Sequence, residues 1–200
     1  MARGLFVVFE GIDACGKSTQ ARRVAQQRAA RFVFEPGDTE LGAHLRGWLL
    51  DATTPMSPTT EALMMLTDRS HHVATVIEPT LASGTHVVAD RFYASTLAYQ
   101  GFGRGVDLAD LEAATDLAIG ACRPDLTVLI DIDVDTANER RARSAHDRFE
   151  SADDAFHDRV REGYLEMAAR DHQRWFVVDG RATIDEVGDA IDERLGALVW

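Results

Sequence analysis

One eight-residue segment, GIDACGKS at residues 11–18, matches the phosphate-binding pattern G-x-x-x-x-G-K-S/T. Glycines allow the backbone to fold around a phosphate with its N–H groups pointing inward, where a Cβ would obstruct the turn or the approach. Lys17 would place an ammonium group on the β and γ phosphates, and Ser18 would ligate Mg²⁺. The segment therefore predicts a binding site for the phosphates of a nucleotide.

A second pair of charged residues follows another apolar run. Residues 86–89 are typical of a buried strand, and Asp90 and Arg91 come directly after them. Ligands of parallel sheets bind at the carboxyl ends of the strands, so Asp90 is expected beside the phosphate loop, where it would orient Mg²⁺ or its waters. Arg91 would then bind the phosphate of an acceptor molecule.

The distribution of basic residues narrows the class of protein. Lys17 is the only lysine, and the other 20 basic residues are arginines. A GTPase that reads guanine through Asn-Lys-x-Asp would need a second lysine, so that class is disfavoured. A chain of 200 residues leaves no room for a motor or an oligomeric ATPase module. A small-molecule kinase is therefore the leading class. A metal site at His71 and His72 is rejected, because adjacent helical residues point about 100° apart.

Composition excludes several other functions. The chain has 21 basic and 33 acidic residues and a formal net charge of −12, which disfavours binding to nucleic acid or to anionic membranes. Its apolar runs, such as residues 5–9, are far shorter than the roughly 18 residues that span a bilayer. Two cysteines without metal-ligand spacing agree with a reducing compartment. We expect a cytoplasmic protein that consists of one domain, residues 1–200.

These charged residues must be positioned by strands and helices that alternate along the chain. Apolar runs at residues 5–9, 32–34, 86–89, 126–132 and 175–178 predict buried strands. Helical periodicity appears at residues 21–29, 108–118, 156–167 and 184–195. The pattern predicts an α/β protein with a parallel sheet flanked by helices on both faces.

Several segments together resemble thymidylate kinases, the family that phosphorylates thymidine monophosphate (dTMP) with ATP. The stretch from Asp90 to Gln100 is the most specific of them. The others are the phosphate loop, Glu35-Pro36-Gly37, Asp68-Arg69 with His72, Arg123 to Thr127, and Asp147 to Glu150. The resemblance covers nearly the whole chain and implies a P-loop NTPase-like fold with nucleoside monophosphate kinase architecture.

The resemblance also implies roles for individual residues. Asp13 would approach the 3′-hydroxyl of dTMP, and Arg91 would hold its phosphate. Arg69 and Gln100 would meet the thymine edge, and Tyr99 would crowd the sugar where a ribose carries its 2′-hydroxyl. The dTMP site would then comprise Asp13, Glu35, Pro36, Met65, Arg69, Arg91, Ser95, Thr96, Tyr99 and Gln100. The ATP phosphates would contact Gly11, Ala14, Cys15, Gly16, Lys17, Ser18, Thr19 and Arg143.

A short Arg-rich lid, approximately residues 140–152, is implied as well. Family members without an arginine in the phosphate loop take their catalytic arginine from this lid, and here Ala14 follows Asp13. Arg148 is therefore the expected catalytic lid residue beside Lys17, Arg91 and Asp13. Arg140 and Arg141 are expected to face solvent or to contact phosphates weakly. The resemblance further implies Mg²⁺, ATP as the phosphoryl donor and a homodimer.

Two positions depart from the bacterial pattern. Bacterial relatives usually place an arginine before Glu-Pro-Gly and an aromatic residue one turn before Arg69, whereas this chain has Phe34 and Met65. A methionine can still cover the face of a base with its thioether. A kinase for another base and a nucleotide-binding protein without catalysis remain alternatives. Tyr99 and Thr96 as packing residues, and Asp68-Arg69 as a surface pair, remain alternatives to the binding roles.

Overall fold

A parallel sheet forms the centre of the computed structural model, which describes residues 2–141, 148–149, 152–198 and 200. Its spatial order is β2-β3-β1-β4-β5, and every neighbouring pair is parallel. The strands are β1 (Phe6–Glu10), β2 (Arg31–Phe34), β3 (Val87–Asp90), β4 (Leu126–Asp131) and β5 (Trp175–Asp179). The predicted strands are thus confirmed, with ends that differ by at most one residue.

The helices of the described residues connect these strands. They are α1 (Lys17–Gln27), α2 (Glu40–Leu50), α3 (Pro58–His72), α4 (Glu78–Ala82), α5 (Tyr93–Thr96), α6 (Leu108–Ile119), α7 (Val134–Arg141), α8 (Asp154–Arg170) and α9 (Ile184–Gly196). Two π-helical segments, Val73–Ile77 and Leu97–Gly103, continue α3 and α5. Residues 51–57 separate α2 from α3, which begins at Pro58 with Ser57 as its N-cap.

Alternating side chains of the central strand separate two cores. Val7 and Phe9 belong to a cluster that contains residues of α1, α8 and α9. Phe6 and Val8 belong to another, which contains residues of the first π-helical segment, of α4 and of the end of α6. Because successive side chains of a strand point to opposite faces, the sheet is buried on both sides. The predicted class, a parallel sheet flanked by helices, is confirmed.

The crossovers bring the functional segments to one edge. The loop after β1 and the residues after β3 lie side by side, because these strands are neighbours and Phe9 is in register with Asp90.

No helix within the described part of the chain is long and apolar enough to cross a membrane.

Candidate active site

The phosphate loop connects β1 to α1 through backbone conformations that favour glycine. Gly11 has a φ of 141° and Gly16 a φ of 96°. A Cβ at position 11 would lie 2.5 Å from the carbonyl oxygen of Ile130, so the loop can pass the next strand only without a side chain there. Lys17 is the first residue of α1, so the loop opens directly onto the N-terminus of a helix. This is the strand, loop and helix order that the motif requires.

Lys17 is held inside the loop. The residue is 7% exposed, and Nζ lies 3.4 Å from the carbonyl oxygen of Ile12 and 3.3 Å from Oδ1 of Asp13. An ammonium can occupy this place because its charge is compact and its stem flexible, whereas a planar guanidinium would not fit as well. The single lysine of the chain therefore lies where the motif predicts it.

Ser18, in the first turn of α1, forms a hydrogen bond with Asp90, the last residue of β3. The hydroxyl of Ser18 donates to Oδ2 of Asp90, and Oδ1 of Asp90 is buried without a hydrogen-bond partner among the described residues. The described residues contain no group of three or more His, Cys, Asp or Glu side chains that would hold a metal by itself. A hydroxyl and a carboxylate suit Mg²⁺, which protein sites bind through one or two carboxylates together with substrate phosphates.

Asp13 links the phosphate loop to Arg91. Its Oδ1 lies 2.5 Å from Nη2 of Arg91, and its Oδ2 accepts a hydrogen bond of 2.8 Å from the hydroxyl of Tyr99. Burial alone would raise the pKa of Asp13, but the charges of Arg91 and Lys17 hold it well below its usual range. Asp13 is thus a carboxylate at neutral pH and offsets the charge of both cations.

Arg91 adopts a left-handed backbone conformation, with a φ of 72°, that is uncommon for residues other than glycine. Its backbone N–H donates to the carbonyl oxygen of Phe9 at 2.9 Å. The conformation turns the chain away from the sheet, and the guanidinium lies beside the phosphate loop. Such outliers occur often at ligand sites, where the surrounding structure compensates for the strain.

A hydrogen-bond network of Glu10, Ser95 and Tyr164 fixes the position of the Arg91 guanidinium. Glu10 is fully buried and accepts from the hydroxyls of Ser95 at 2.7 Å and Tyr164 at 2.9 Å. Both hydroxyls in turn accept from Nη1 of Arg91, at 3.0 and 3.1 Å. Burial raises the pKa of Glu10, although the charge of Arg91 opposes this shift. Nε of Arg91 has no hydrogen-bond partner in the described part of the structure, which leaves a donor for a ligand.

One cavity extends from Asp13 and Arg91 towards α3. It is lined by all ten residues of the predicted dTMP site and by Arg46, Leu50 and Phe149. The ten are Asp13, Glu35, Pro36, Met65, Arg69, Arg91, Ser95, Thr96, Tyr99 and Gln100. The structure therefore brings the ten predicted residues together in one cavity, although they are up to 87 positions apart in the sequence.

Arg69 forms the far wall of this cavity and is 2% exposed. Nε donates to Glu35 at 2.8 Å, Nη1 to the hydroxyl of Thr96 at 2.7 Å and Nη2 to the carbonyl oxygen of Phe92 at 2.9 Å. The alternative of an Asp68-Arg69 surface pair is wrong, because both side chains are buried and the carboxylate partner of Arg69 is Glu35. These contacts fix the guanidinium plane, which presents only donors to a ligand.

His72 completes the support of Glu35. Its Nδ1 lies 2.9 Å from Oε1 of Glu35, and its Nε2 lies 3.3 Å from Oδ2 of Asp38. Burial alone would lower the pKa of His72, but the hydrogen bond to Glu35 and the charges of Glu35 and Asp38 raise it. The histidine is thus a structural partner of the cavity wall.

Three residues of the cavity were not among the predicted site residues. Arg46 and Leu50 are four positions apart on α2 and so share one face of that helix. Nη1 of Arg46 donates to the carbonyl oxygen of Pro36 at 2.7 Å. Phe149 is 6% exposed, and its ring centroid lies 5.7 Å from that of Tyr99. The Asp-Arg-Phe-Glu segment, which contains Phe149, could have indicated this residue from the sequence. Arg46 and Leu50 are identified only by the position of α2 in the structure.

A second cavity lies on the other side of the phosphate loop. Its walls include four of the predicted ATP-site residues, Ala14, Cys15, Gly16 and Thr19, together with residues from the loop after β5 and from α9. Arg140 spans this cavity, with Nη2 at 2.9 Å from the carbonyl oxygen of Gly180 and Nη1 at 3.5 Å from that of Ala14. Arg140 is exposed, as expected, and the loop after β5 offers it a carbonyl partner.

The structure does not place Arg148 beside Lys17. Its backbone N–H donates to the carbonyl oxygen of Leu50 at 3.2 Å, and its guanidinium donates to those of Asp51, at 2.6 Å, and Thr54. Arg143 lies outside the described residues, as do residues 142–147, 150 and 151 of the predicted lid and the side chain of Arg141. Arg148 thus contacts the segment after α2 in this conformation.

Comparisons with known proteins agree with this geometry. The family model for thymidylate kinases matches residues 9–191. The chain is 46% identical over 208 aligned positions to a thymidylate kinase of Burkholderia vietnamiensis, with 99% of this chain and 100% of that protein covered. A thymidylate kinase of Cupriavidus necator is 43% identical, with 98% and 100% covered. The crystal structure of a thymidylate kinase from Ehrlichia chaffeensis superposes with a TM-score of 0.80 at 29% identity, with 97% and 99% of the two chains covered.

A parallel sheet with a phosphate loop and an adjoining second pocket defines a phosphate-loop kinase that acts on small molecules. The chain belongs to the thymidylate kinase family. It is therefore an enzyme, and the reaction of its family is the phosphorylation of dTMP to dTDP.

Proposed function

We propose that this chain transfers the γ-phosphoryl group of ATP to dTMP, with the donor held at the phosphate loop and the acceptor in the cavity beside it. The observation that carries the proposal is the position of Asp13, which lies 3.3 Å from Lys17 and 2.5 Å from Arg91. One carboxylate thus contacts the cation expected to bind donor phosphates and the cation expected to bind the acceptor phosphate. The two phosphates would meet beside it.

On the donor side, the loop residues Gly11, Ala14, Cys15 and Gly16, with Thr19 in the first turn of α1, would surround the phosphates. Lys17 would contact the β and γ phosphates, and Arg140, which already adjoins Ala14, would lie near the nucleotide. Ser18 and Asp90 would hold Mg²⁺, and the unpartnered buried Oδ1 of Asp90 supports this assignment. When bound, Mg²⁺ would offset phosphate charge and fix the orientation of the γ-phosphoryl group.

On the acceptor side, the phosphate of dTMP would bind Arg91, and its 3′-hydroxyl would approach Asp13. The sugar would then lie against Tyr99, which leaves little space for a 2′-hydroxyl. The thymine would extend towards α3, with Arg69 and Gln100 at its polar edge. Residues beside the base and along the walls would be Glu35, Pro36, Met65, Ser95 and Thr96.

Catalysis would depend on position and charge. The acceptor is a phosphate that is already anionic near neutral pH, so it needs no strong general base. The chain's own contribution is to hold two polyanions within bonding distance, and Lys17 and Arg91 offset the negative charge of the transferring group. Arg148 would add a third cation after leaving the carbonyl oxygens of Asp51 and Thr54. A closed lid would also keep water from taking the phosphoryl group.

Three expectations about the whole protein stay proposals: a single domain, a cytoplasmic location and a homodimer. The continuous sheet and its two cores support the first. The second and third follow from the composition and from the family, respectively.

A coupled assay of ADP release with ATP and a panel of nucleoside monophosphates tests the function. We expect dTMP to be the preferred acceptor, with dTDP as the product. Preference for a purine nucleotide would contradict the assignment of the cavity. Binding of ATP and dTMP without product would favour the non-catalytic alternative.

A further inference from the structure

Gln100 contacts Glu61, a residue that does not itself line the acceptor cavity. Nε2 of Gln100 donates to Oε1 of Glu61 at 2.9 Å, and both side chains are almost fully buried, at 1% and 2% exposed. Arg104 donates from Nε to the same oxygen at 3.3 Å, so Glu61 is paired with a cation. The three side chains form a short hydrogen-bonded chain that ends at the cavity wall.

A primary amide has a donor and an acceptor that can exchange places by a rotation of 180°. A carboxylate paired with an arginine only accepts hydrogen bonds, so the nitrogen of Gln100 must face Glu61. The carbonyl Oε1 is then directed away from Glu61. Gln100 lines the acceptor cavity. The cavity is thus offered the carbonyl oxygen of Gln100 as an acceptor at this position.

Arg69 lines the same cavity and presents only donors. Together the two residues present one donor group and one acceptor. The 4-oxo, N3–H edge of thymine or uracil is complementary to this pair. The edge of cytosine, with an amino group at C4 and an unprotonated N3, reverses both positions.

We propose that Glu61 is a specificity-determining positioning residue, which fixes the amide of Gln100 so that the cavity accepts 4-oxo pyrimidine nucleotides and rejects cytidine nucleotides. The inference rests on the proposed function, because it requires a pyrimidine nucleotide in this cavity. It gives a physical cause of base selectivity, and that cause is Glu61, a residue that does not line the cavity in which the base would bind.

The first test compares Glu61→Met with Glu61→Gln. Methionine removes the acceptor and frees the amide of Gln100 to rotate. Glutamine removes the charge but keeps a carbonyl oxygen, which Arg104 would hold in the place of Oε1. We expect the ratio of kcat/KM for dTMP to that for dCMP to fall at least about tenfold in Glu61→Met, the worth of about one hydrogen bond. The ratio should stay within about threefold of the wild type in Glu61→Gln.

dUMP serves as a control acceptor, because it has the same polar edge as dTMP and should respond to the two variants in parallel. The KM for ATP should stay unchanged, which reports on an intact donor site. An equal fall of the dTMP to dCMP ratio in both variants would show that the charge of Glu61, and not its hydrogen bond to Gln100, determines selectivity. An unchanged ratio in Glu61→Met would show that Glu61 has no role in base recognition. Either outcome overturns the inference while wild-type activity on dTMP still supports the function.

A second set of variants covers the case in which Glu61→Met does not fold. Arg104→Lys keeps a cation beside the carboxylate of Glu61, so selectivity should persist. Arg104→Met combined with Glu61→Gln leaves an amide that no cation orients, so selectivity should fall although Glu61→Gln alone keeps it. A small effect in the double variant would contradict the proposal. Inactivity of the wild type on dTMP would instead refute the proposed function.

Discussion

The carboxylate of Asp13 and the guanidinium of Arg91 form an ion pair, with 2.5 Å between Oδ1 and Nη2, where the phosphate loop meets the acceptor cavity. The same Oδ1 lies 3.3 Å from Nζ of Lys17. A single carboxylate therefore offsets the cations of both pockets. Because Asp13, Arg91 and Tyr99 are joined by hydrogen bonds, a change at one of them should also alter the position of the others.

Replacement of Lys17 should affect turnover more than any other change in the donor site. We expect Lys17→Ala to lower kcat by at least about 10², the scale for a donor aimed at the transition state. Lys17→Arg should recover little, because a planar guanidinium does not fit where the ammonium is enclosed by the loop. The coupled assay at saturating dTMP measures this. Arg22→Ala, at an exposed position of the same helix, serves as the control, and near-normal turnover of Lys17→Ala would contradict the mechanism.

Tyr99 should contribute through its ring and its hydroxyl in separable ways. The hydroxyl, to which sequence reasoning assigned no role, donates to Asp13 and accepts from Arg91 at 3.0 Å. We expect Tyr99→Phe to raise the KM for dTMP about three- to tenfold, the worth of a typical hydrogen bond. Tyr99→Ala should in addition admit a 2′-hydroxyl. The ratio of kcat/KM for dUMP to that for UMP measures the exclusion, and an alanine variant that still rejects UMP would contradict it.

Arg148 should matter for the chemical step rather than for binding of dTMP. In this conformation it contacts the carbonyl oxygens of Asp51 and Thr54, away from the phosphate loop. Because its proposed role is at the transferring phosphoryl group, Arg148→Ala should lower kcat by about 10² and leave the dissociation constant of dTMP nearly unchanged. Calorimetric titration with dTMP and the coupled assay separate the two effects. Arg170→Ala, half-exposed on α8, is the matched control.

Stability should depend on pH through Asp68, which is 1% exposed. Burial and the charge of Glu35 raise its pKa from 3.8 to about 6. Between these values the folded chain keeps a proton that the unfolded chain has released, so the free energy of unfolding falls as pH rises through this range. Asp68→Asn cannot ionise, and its stability relative to the wild type should rise by up to about 3 kcal/mol between pH 4 and pH 7.

Urea unfolding of both proteins across this pH range measures the difference. Asp116→Asn, at an exposed position, controls for the loss of one charge. A difference between wild type and Asp68→Asn that does not change with pH would show that Asp68 has an ordinary pKa in the folded protein.

Local and periodic features were predictable from the sequence. The phosphate loop depends on glycine conformations and on the strand and helix that flank it, all within about 20 residues. The central strand β1 begins with an uninterrupted apolar run, because both of its faces are covered. The acceptor cavity could be anticipated because its charged and aromatic residues stand in short segments with recognisable spacing, such as Asp90 to Gln100.

Contacts between distant segments could not be predicted in this way. Glu10 and Tyr164 are 154 positions apart, and nothing in either neighbourhood indicates that both would hold Arg91. Arg46 and Leu50 enter the cavity because α2 lies against α3, a contact that the sequence around them does not indicate.

The sequence by itself determined the five strands, the helices α1, α6, α8 and α9, and the residues that carry the charge for phosphate binding, since these depend on neighbours along the chain. Only the tertiary structure decided how the hydrogen bonds are shared. That Glu61 faces the nitrogen of Gln100, and that Arg148 contacts the segment after α2, follows from packing of helices that are remote in sequence. Hydrogen-bond direction is set by the partners that packing brings within about 3 Å, and a linear pattern of residue types does not contain that information.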